Sequence, residues 1–371
     1  MKIAIQAADL DAERIDGTRV YILNMLKRFG GIAPQDDFLI YHQRDFNSQL
    51  TPPVLPNYTI KKAGALCLWT QTRLAWDLWH DRPDALWMPM HNIPLVRRKG
   101  LRTVVTVHDL AYKYFPQHFP RKDLLLLNIL GSAAINGADR LIAVSESTKR
   151  DILKFYPRVQ EKNIRVIYHG FSDEYLQKEI TTEESEGVLK NYKLQSQSYI
   201  LYVGALQPRK NLERLVEAFE LVKKNHPELK LVLAGSRAWQ WAGIEACIQR
   251  SPFRQDIIIT GTVGIETLRV LYRQAAVFAF PSLYEGFGIP ILEAFASQVP
   301  VVTADNSSLR EIAGEAALFC KDSDSVDLSE KLKMVLENPA LTEELARKGI
   351  VQLTNFSWDK CARETLEWIR G

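Results

Sequence analysis

The segment Pro281-Ser282-Leu283-Tyr284-Glu285-Gly286-Phe287-Gly288-Ile289-Pro290-Ile291-Leu292-Glu293 brings two carboxylates and two glycines into a short space. Its order reads as a strand ending at Pro281, then a loop, then a helix that Pro290 opens and that runs to about Gln298. Gly286 and Gly288 let the backbone approach a ligand closely. The N–H groups at the start of such a helix form an anion site. Glu285 falls on the loop and Glu293 in the first helical turn, so both can flank a bound anion. A carboxylate there makes charge-assisted hydrogen bonds to sugar hydroxyls. A plain glycine turn fits the same spacing, with Glu285 solvated and Glu293 favouring the helix dipole.

A second turn, Gly204-Ala205-Leu206-Gln207-Pro208-Arg209-Lys210-Asn211, follows an apolar strand and opens a helix. Arg209 is a planar fork for phosphate oxygens and Lys210 a mobile point charge, so the pair suits a pyrophosphate. Asn211 reads as the N-cap. Solvated surface cations are the alternative. Both turns follow parallel strands, so both should open onto one edge of a sheet. His108 closes a strand in the first half and precedes Asp109; such a histidine is either a satisfied core residue or a ligand-facing one. Asp322-Ser323-Asp324 has the look of a metal-binding pair, but its place before a helix favours capping. Trp239 and Trp241 could stack on a base or sugar or simply pack at the rim. Arg97-Arg98-Lys99 is a solvated turn or a contact for anionic lipid.

These residues must be held by regular elements. Short β-branched runs alternate with amphipathic stretches along the chain. Strands are expected at Lys2–Ala7, Phe38–His42, Ala85–Met90, Thr103–His108, Arg140–Ser145 and Arg165–Tyr168. The second half adds Tyr199–Gly204, Leu229–Gly235, Ile257–Thr260, Val277–Pro281 and Pro300–Ala304. A clear helical stripe runs from Asn211 to Lys224 through Leu212, Leu215, Val216, Phe219 and Val222. Alternation of this kind predicts an α/β fold of doubly wound parallel sheets with helices on both faces. The polar stretch Lys178 to Ser198 reads as a linker, which puts a boundary near 180. Two Rossmann-like halves would then present their strand ends to a common cleft.

The chain has 371 residues, 46% hydrophobic and 25% charged, which suits two soluble cores and excludes a disordered chain. The net charge of +3 is too mild to argue for nucleic acid. It is uneven: 25 basic and 19 acidic residues precede position 181, and 22 basic and 25 acidic follow. The basic first half suits an anionic partner or the surface of a membrane. Cys67, Cys247, Cys320 and Cys361 are scattered, with no zinc or redox spacing, and read as core residues of a reducing compartment. Met1–Gln6 reads as a strand rather than a signal peptide, and no apolar run is long enough to span a bilayer. The expected location is the cytoplasm, with the inner face of the membrane as a variant of it.

Together the Glu285-to-Glu293 spacing, Tyr284–Gly288 and Pro208–Asn211 resemble family 4 of the retaining nucleotide-sugar glycosyltransferases (group 1), and in particular its mannosyltransferases. The resemblance runs from about 199 to 358 and takes in Ala234-Gly235, Asn306–Glu311 and Phe356-Ser357-Trp358. In the first half it rests on Gly17-Thr18-Arg19, Val107–Leu110, Val144–Ser147 and Ile167–Gly170. It implies a GT-B fold, with an N-terminal acceptor domain (1–180), a C-terminal donor domain (181–356) and a last helix, 357–371, that returns to the first. It also implies roles. Glu293 would hold the nucleotide ribose, and Glu285 the donor sugar beside Gly286, Phe287 and Gly288. Arg209 and Lys210 would neutralise the diphosphate, His108 would hydrogen-bond the sugar, and Gly17 would leave room by the phosphates. No metal and no cofactor would be needed. The donor would be a nucleoside-diphosphate hexose such as GDP-mannose, and the acceptor a saccharide or lipid-linked hydroxyl in cell-surface polysaccharide synthesis.

Three departures stand out. Ala205 replaces an arginine common after the first glycine, His169 an asparagine before Gly170, and Gln298 a glycine at a helix end. A GT-B epimerase of nucleotide sugars and a two-lobed sugar-binding protein remain the rival expectations. A nicotinamide dehydrogenase fits worse, since no GxGxxG follows a strand.

Overall fold

All eleven expected strands form in the computed structural model, which describes residues 1–64, 68–177 and 180–371. Cys67 lies outside the described residues. Two further strands appear that the sequence pattern did not single out, Tyr58–Lys62 and Ala317–Cys320. The first seven are β1 (Lys2–Gln6), β2 (Asp37–His42), β3 (Tyr58–Lys62), β4 (Ala85–Met88), β5 (Arg102–Val107), β6 (Arg140–Ala143) and β7 (Ile164–Val166). They make one sheet in the order β3-β2-β1-β4-β5-β6-β7. The remaining six are β8 (Tyr199–Val203), β9 (Lys230–Ala234), β10 (Ile257–Gly261), β11 (Val277–Phe280), β12 (Val301–Ala304) and β13 (Ala317–Cys320). Their order is β10-β9-β8-β11-β12-β13.

Every pairing in both sheets is parallel. Parallel strands are covered on both faces and therefore read as apolar runs. The central strands conform: Ile3, Ala4, Ile5, Leu86, Trp87, Ile200, Leu201, Tyr202, Phe278 and Val301 have no accessible surface. The strand order reverses between β1 and β4 in the first sheet and between β8 and β11 in the second. In open parallel sheets that reversal opens a crevice at the carboxyl edge. The two turns singled out in the second half are the ones that flank the β8–β11 reversal.

The chain divides into two compact units. One comprises Met1–Tyr114, Pro120–Gly170 and Phe356–Gly371; the other comprises Phe115–Phe119 and Phe171–Asn355. The stretch expected as a linker is largely structured. Thr182–Asn191 is a helix whose start is fixed by a capping box between Thr181 and Glu184, a local signal that the acidic, polar composition obscured. The last helix, Trp358–Arg370, belongs to the first unit. It packs on the helix Gly17–Ile32. Arg140 donates to the Trp368 carbonyl at 2.7 Å, and Trp368 donates to the Leu141 carbonyl at 3.0 Å. Arg370 pairs with the buried Asp36 at 2.7 Å. Among the described residues no helix is long and apolar enough to cross a membrane.

Candidate active site

In the second unit, a glycine-only contact joins two strand ends. A Cβ on Gly235, which follows β9 at φ +149°, would lie 1.9 Å from the carbonyl oxygen of Gly204, which follows β8. Only glycine lets the two strand ends close to this distance. From Gly204 the chain passes into a short 3-10 turn, Pro208–Lys210, before the helix Leu212–Lys223. Asn211 does not cap that helix with its side chain. It takes the left-handed conformation at φ +60°, which asparagine tolerates better than most residues. Its amide donates to the Pro281 carbonyl at 3.0 Å and to the Asp322 carbonyl at 2.7 Å. The Arg209–Lys210 turn is thereby tied to the loop after β11.

The result is a buried cluster. Lys210 Nζ donates to Glu285 Oε1, and Arg209 Nη1 lies 3.4 Å from Glu285 Oε2 and 2.5 Å from the Tyr284 carbonyl. The side chains of Arg209, Lys210 and Glu285 are only 14%, 11% and 10% exposed. Burial raises the Glu285 carboxyl, but Lys210 first and Arg209 second outweigh it and hold the group below its ordinary value. Glu285 is thus an ionised carboxylate between two cations, and the cluster carries a net positive charge. It is not the solvated loop residue of the alternative reading.

The loop after β12 braces the carboxylate. The Glu285 N–H donates to Ser307 Oγ at 3.0 Å, and Ser308 Oγ is within hydrogen-bonding distance of the carbonyls of Glu285 (3.0 Å) and Phe287 (2.7 Å). Asn306 donates to the Ser282 carbonyl at 3.0 Å and to the Asp322 carboxylate at 2.8 Å. Asp322 therefore latches both loops, while Asp324 caps the helix Ser325–Glu337 through its contacts with the N–H groups of Val326 and Asp327. Gly288 stands at φ +118° immediately before the helix Ile289–Ala296, with Pro290 in its first turn. Gly286 and Phe287 are buried beside it.

Glu293 sits in the second turn of that helix, not the first, and faces a different set of partners. Tyr272 is 3.0 Å from Glu293 Oε2, and Tyr175 also bonds the carboxyl. Burial dominates here and pushes the Glu293 carboxyl up to about 7, against the pull of the two tyrosines. No sequence signal pointed to Tyr175 or Tyr272, since both come from distant elements. The Ser307-Ser308 brace had one, the Asn306–Glu311 stretch, although its role was not legible. Trp239 is half exposed, whereas Trp241 is buried with Arg237 over its ring.

The first unit places its two candidates together. Gly17 begins the helix Gly17–Ile32, where Asp16 accepts the Arg19 N–H as N-cap. One turn on, Tyr21 meets His108 edge-on, with ring centroids 5.2 Å apart. His108 follows β5 at the carboxyl edge. Its Nε2 is 2.9 Å from the Pro89 carbonyl, which only accepts, so Nε2 carries the proton and Nδ1 is the acceptor. Burial drives its pKa down to about 4, so the ring is neutral near pH 7.

Comparison with known proteins accounts for most of the chain. Residues 189–352 match the model of the glycosyl transferases group 1, and residues 17–175 match that of Glycosyltransferase Family 4. The chain is 27% identical to an Escherichia coli O-antigen chain mannosyltransferase B over 95% of both chains. It is 25% identical to the O-antigen chain mannosyltransferase RfbU of Salmonella typhimurium over 67% of this chain and 64% of that protein. In fold it resembles Anabaena Alr3699/HepE, solved with UDP and glucose, with a TM-score of 0.77 at 15% identity and full coverage of both chains. WaaG, a glycosyltransferase of lipopolysaccharide biosynthesis, gives 0.75 at 16% identity, again with full coverage of both chains. With one family model on each side of the chain and the parallel sheets of the GT-B fold in both, this protein belongs to the group 1 and family 4 glycosyltransferases.

Proposed function

We propose that the protein transfers a hexose, mannose in the first instance, from a nucleoside-diphosphate donor to a hydroxyl of a saccharide or lipid-linked acceptor, with retention of anomeric configuration. The observation that carries this reading is the buried Arg209–Lys210–Glu285 cluster at the strand-order reversal of the second sheet. Departure of a nucleoside diphosphate builds negative charge, and preorganised cations lower the barrier by stabilising it. Arg209 and Lys210 are assigned that role, so turnover is proposed to be metal-independent. Glu285, already ionised, positions the two cations and accepts hydrogen bonds from the donor sugar beside Gly286, Phe287 and Gly288. Glu293 takes the ribose hydroxyls.

On the acceptor side, Gly17 leaves the helix start open, and His108 offers its Nδ1 lone pair to a sugar hydroxyl. A neutral imidazole held by Pro89 acts there as a hydrogen-bonding group rather than as an acid. We assign no carboxylate among the described residues as a covalent nucleophile, and the proposed step is front-face attack: the acceptor oxygen bonds the anomeric carbon as the C–O bond to the phosphate breaks, and the departing phosphate oxygen takes the acceptor proton. Mannose is favoured by the names of the two bacterial relatives, both O-antigen chain mannosyltransferases, and GDP is proposed as the nucleotide that carries it. A place in O-antigen-type polysaccharide synthesis is suggested by the same names.

Thermal melts with UDP-, GDP- and ADP-sugars, with and without EDTA, test the donor and the metal together. A ligand bound only by the folded protein raises the midpoint according to its concentration over Kd. GDP-mannose should give the largest shift, unchanged by EDTA. A shift that chelation removes, or none with any sugar nucleotide, contradicts the proposal. The rival epimerase would convert the donor with no acceptor present.

A further inference from the structure

A short strap from the first half of the chain packs with the second unit. Phe115–Phe119 belongs to that unit, although Tyr114 before it and Pro120 after it belong to the first. The strap keeps its shape through a 3-10 turn, Pro116–His118, in which the His118 N–H donates to the Phe115 carbonyl at 3.0 Å. It touches the loops that carry the donor cluster. The Phe115 ring is 6.5 Å from that of Tyr284, whose carbonyl accepts from Arg209 at 2.5 Å. The Gln117 carbonyl accepts from the Gln240 side chain at 3.0 Å, just ahead of the helix Trp241–Arg250. Five residues therefore connect the loop after β11 with the loop after β9, and the Arg209–Lys210 turn follows the strand that lies between those two in the sheet.

His118 is the side chain that the strap brings to the cations. Its ring stacks flat on Phe115, with centroids 5.6 Å apart and planes 8° apart. Burial lowers its pKa and the positive charge of Arg209 lowers it further, so the ring is neutral near pH 7. Its Nδ1 is buried and has no hydrogen-bond partner among the described residues. A buried polar atom without a partner is costly and calls for an explanation. Beside an arginine, the partner that suits both groups is an anionic oxygen. The guanidinium supplies charge, and an imidazole in its Nδ1–H tautomer supplies a hydrogen bond. We propose that His118, carried on the strap Phe115–Phe119, donates from Nδ1 to a phosphate oxygen of the donor's diphosphate and completes, with Arg209 and Lys210, the group that binds it. The proton stays on the imidazole, and no covalent bond changes in this contact. The proposal rests on the donor reading given above and adds a third side chain to it, one that the family resemblance does not assign.

The test is isothermal titration of the full chain with GDP and with UDP, on wild type, His118→Phe and His118→Asn, beside melts of each protein alone. Phenylalanine keeps the flat stack on Phe115 and removes the nitrogen. Asparagine puts an amide N–H close to the place of Nδ1. For the nucleotide that wild type binds, His118→Phe should raise Kd about tenfold or more, the loss of a hydrogen bond to a charged group. His118→Asn should recover most of that loss, and the three melts without ligand should agree. An unchanged Kd in His118→Phe overturns the proposal and leaves the donor reading standing. An asparagine variant as weak as the phenylalanine one, or a loss that tracks a lowered melt, also overturns it, because His118 then only packs. Binding of neither nucleotide by wild type overturns this proposal and the donor reading together.

Discussion

Glu293→Gln removes one charge while keeping the shape of the side chain and its contacts with the two tyrosines. In the wild type burial raises this carboxyl from an ordinary 4.5 to about 7. A carboxyl whose folded pKa lies above its unfolded value binds its proton more tightly in the folded state. Its contribution to stability is full below about pH 4.5 and is lost as the pH climbs through about 7. At about 1.4 kcal/mol per unit, the wild-type carboxylate costs about 1 kcal/mol near pH 5 and about 3 kcal/mol near pH 8. Glutamine carries no such cost. The variant should match wild type within about 1 kcal/mol near pH 5 and exceed it by about 2–3 kcal/mol near pH 8, a midpoint rise of about 4–8 °C for a unit of this size. Melts of both proteins across that range give the answer. The same substitution should weaken sugar-nucleotide binding, since an amide accepts ribose hydroxyls less strongly than a carboxylate. A stability difference that stays constant with pH would refute the burial argument.

Lys210→Ala should lower kcat by about 10²–10³ with a smaller effect on the melt, because Arg209 remains on Glu285; steady-state kinetics beside calorimetry separate the two, and near-wild-type turnover would sink the assignment. His108→Asn should slow transfer without changing the shape of the pH profile between about 5 and 8; a wild-type ionisation near 6.5 that vanishes in the variant would show that the ring titrates after all. Gly235→Ala forces a Cβ to within 1.9 Å of the Gly204 oxygen and should cost the second unit about 3 kcal/mol or more, read as a drop in urea midpoint. Gln298→Gly relieves a left-handed residue at φ +60° and should stabilise by about 1 kcal/mol; an unchanged melt contradicts the strain.

The architecture was legible because parallel strands, covered on both faces, write themselves as apolar runs. Tyr58–Lys62 and Ala317–Cys320 escaped for the opposite reason. Both are edge strands, the first largely exposed and lysine-bearing, the second four residues long with no β-branched side chain. At the site, the types and spacing of Glu285, Arg209 and Lys210 announced a charged constellation, yet nothing local said that the three bind one another. Asn211 looked like a cap because asparagine favours both caps and left-handed turns, and only the positions of Pro281 and Asp322 decide between them. Tyr175, Tyr272 and Asp322 act at long range in the sequence, where spacing carries no information. Gln298 shows the converse. The family's glycine at that position answers to a backbone angle, which this chain keeps despite the side chain.

The claim on which the rest depends is that Arg209 and Lys210 grip a diphosphate while Glu293 holds the attached ribose. A structure determined with a saturating sugar nucleotide tests it most directly. The account predicts phosphate density within hydrogen-bonding distance of Arg209 and Lys210, with the ribose on Glu293 and the hexose beside Glu285–Gly288. Well-ordered nucleotide density anywhere else on the protein would contradict it.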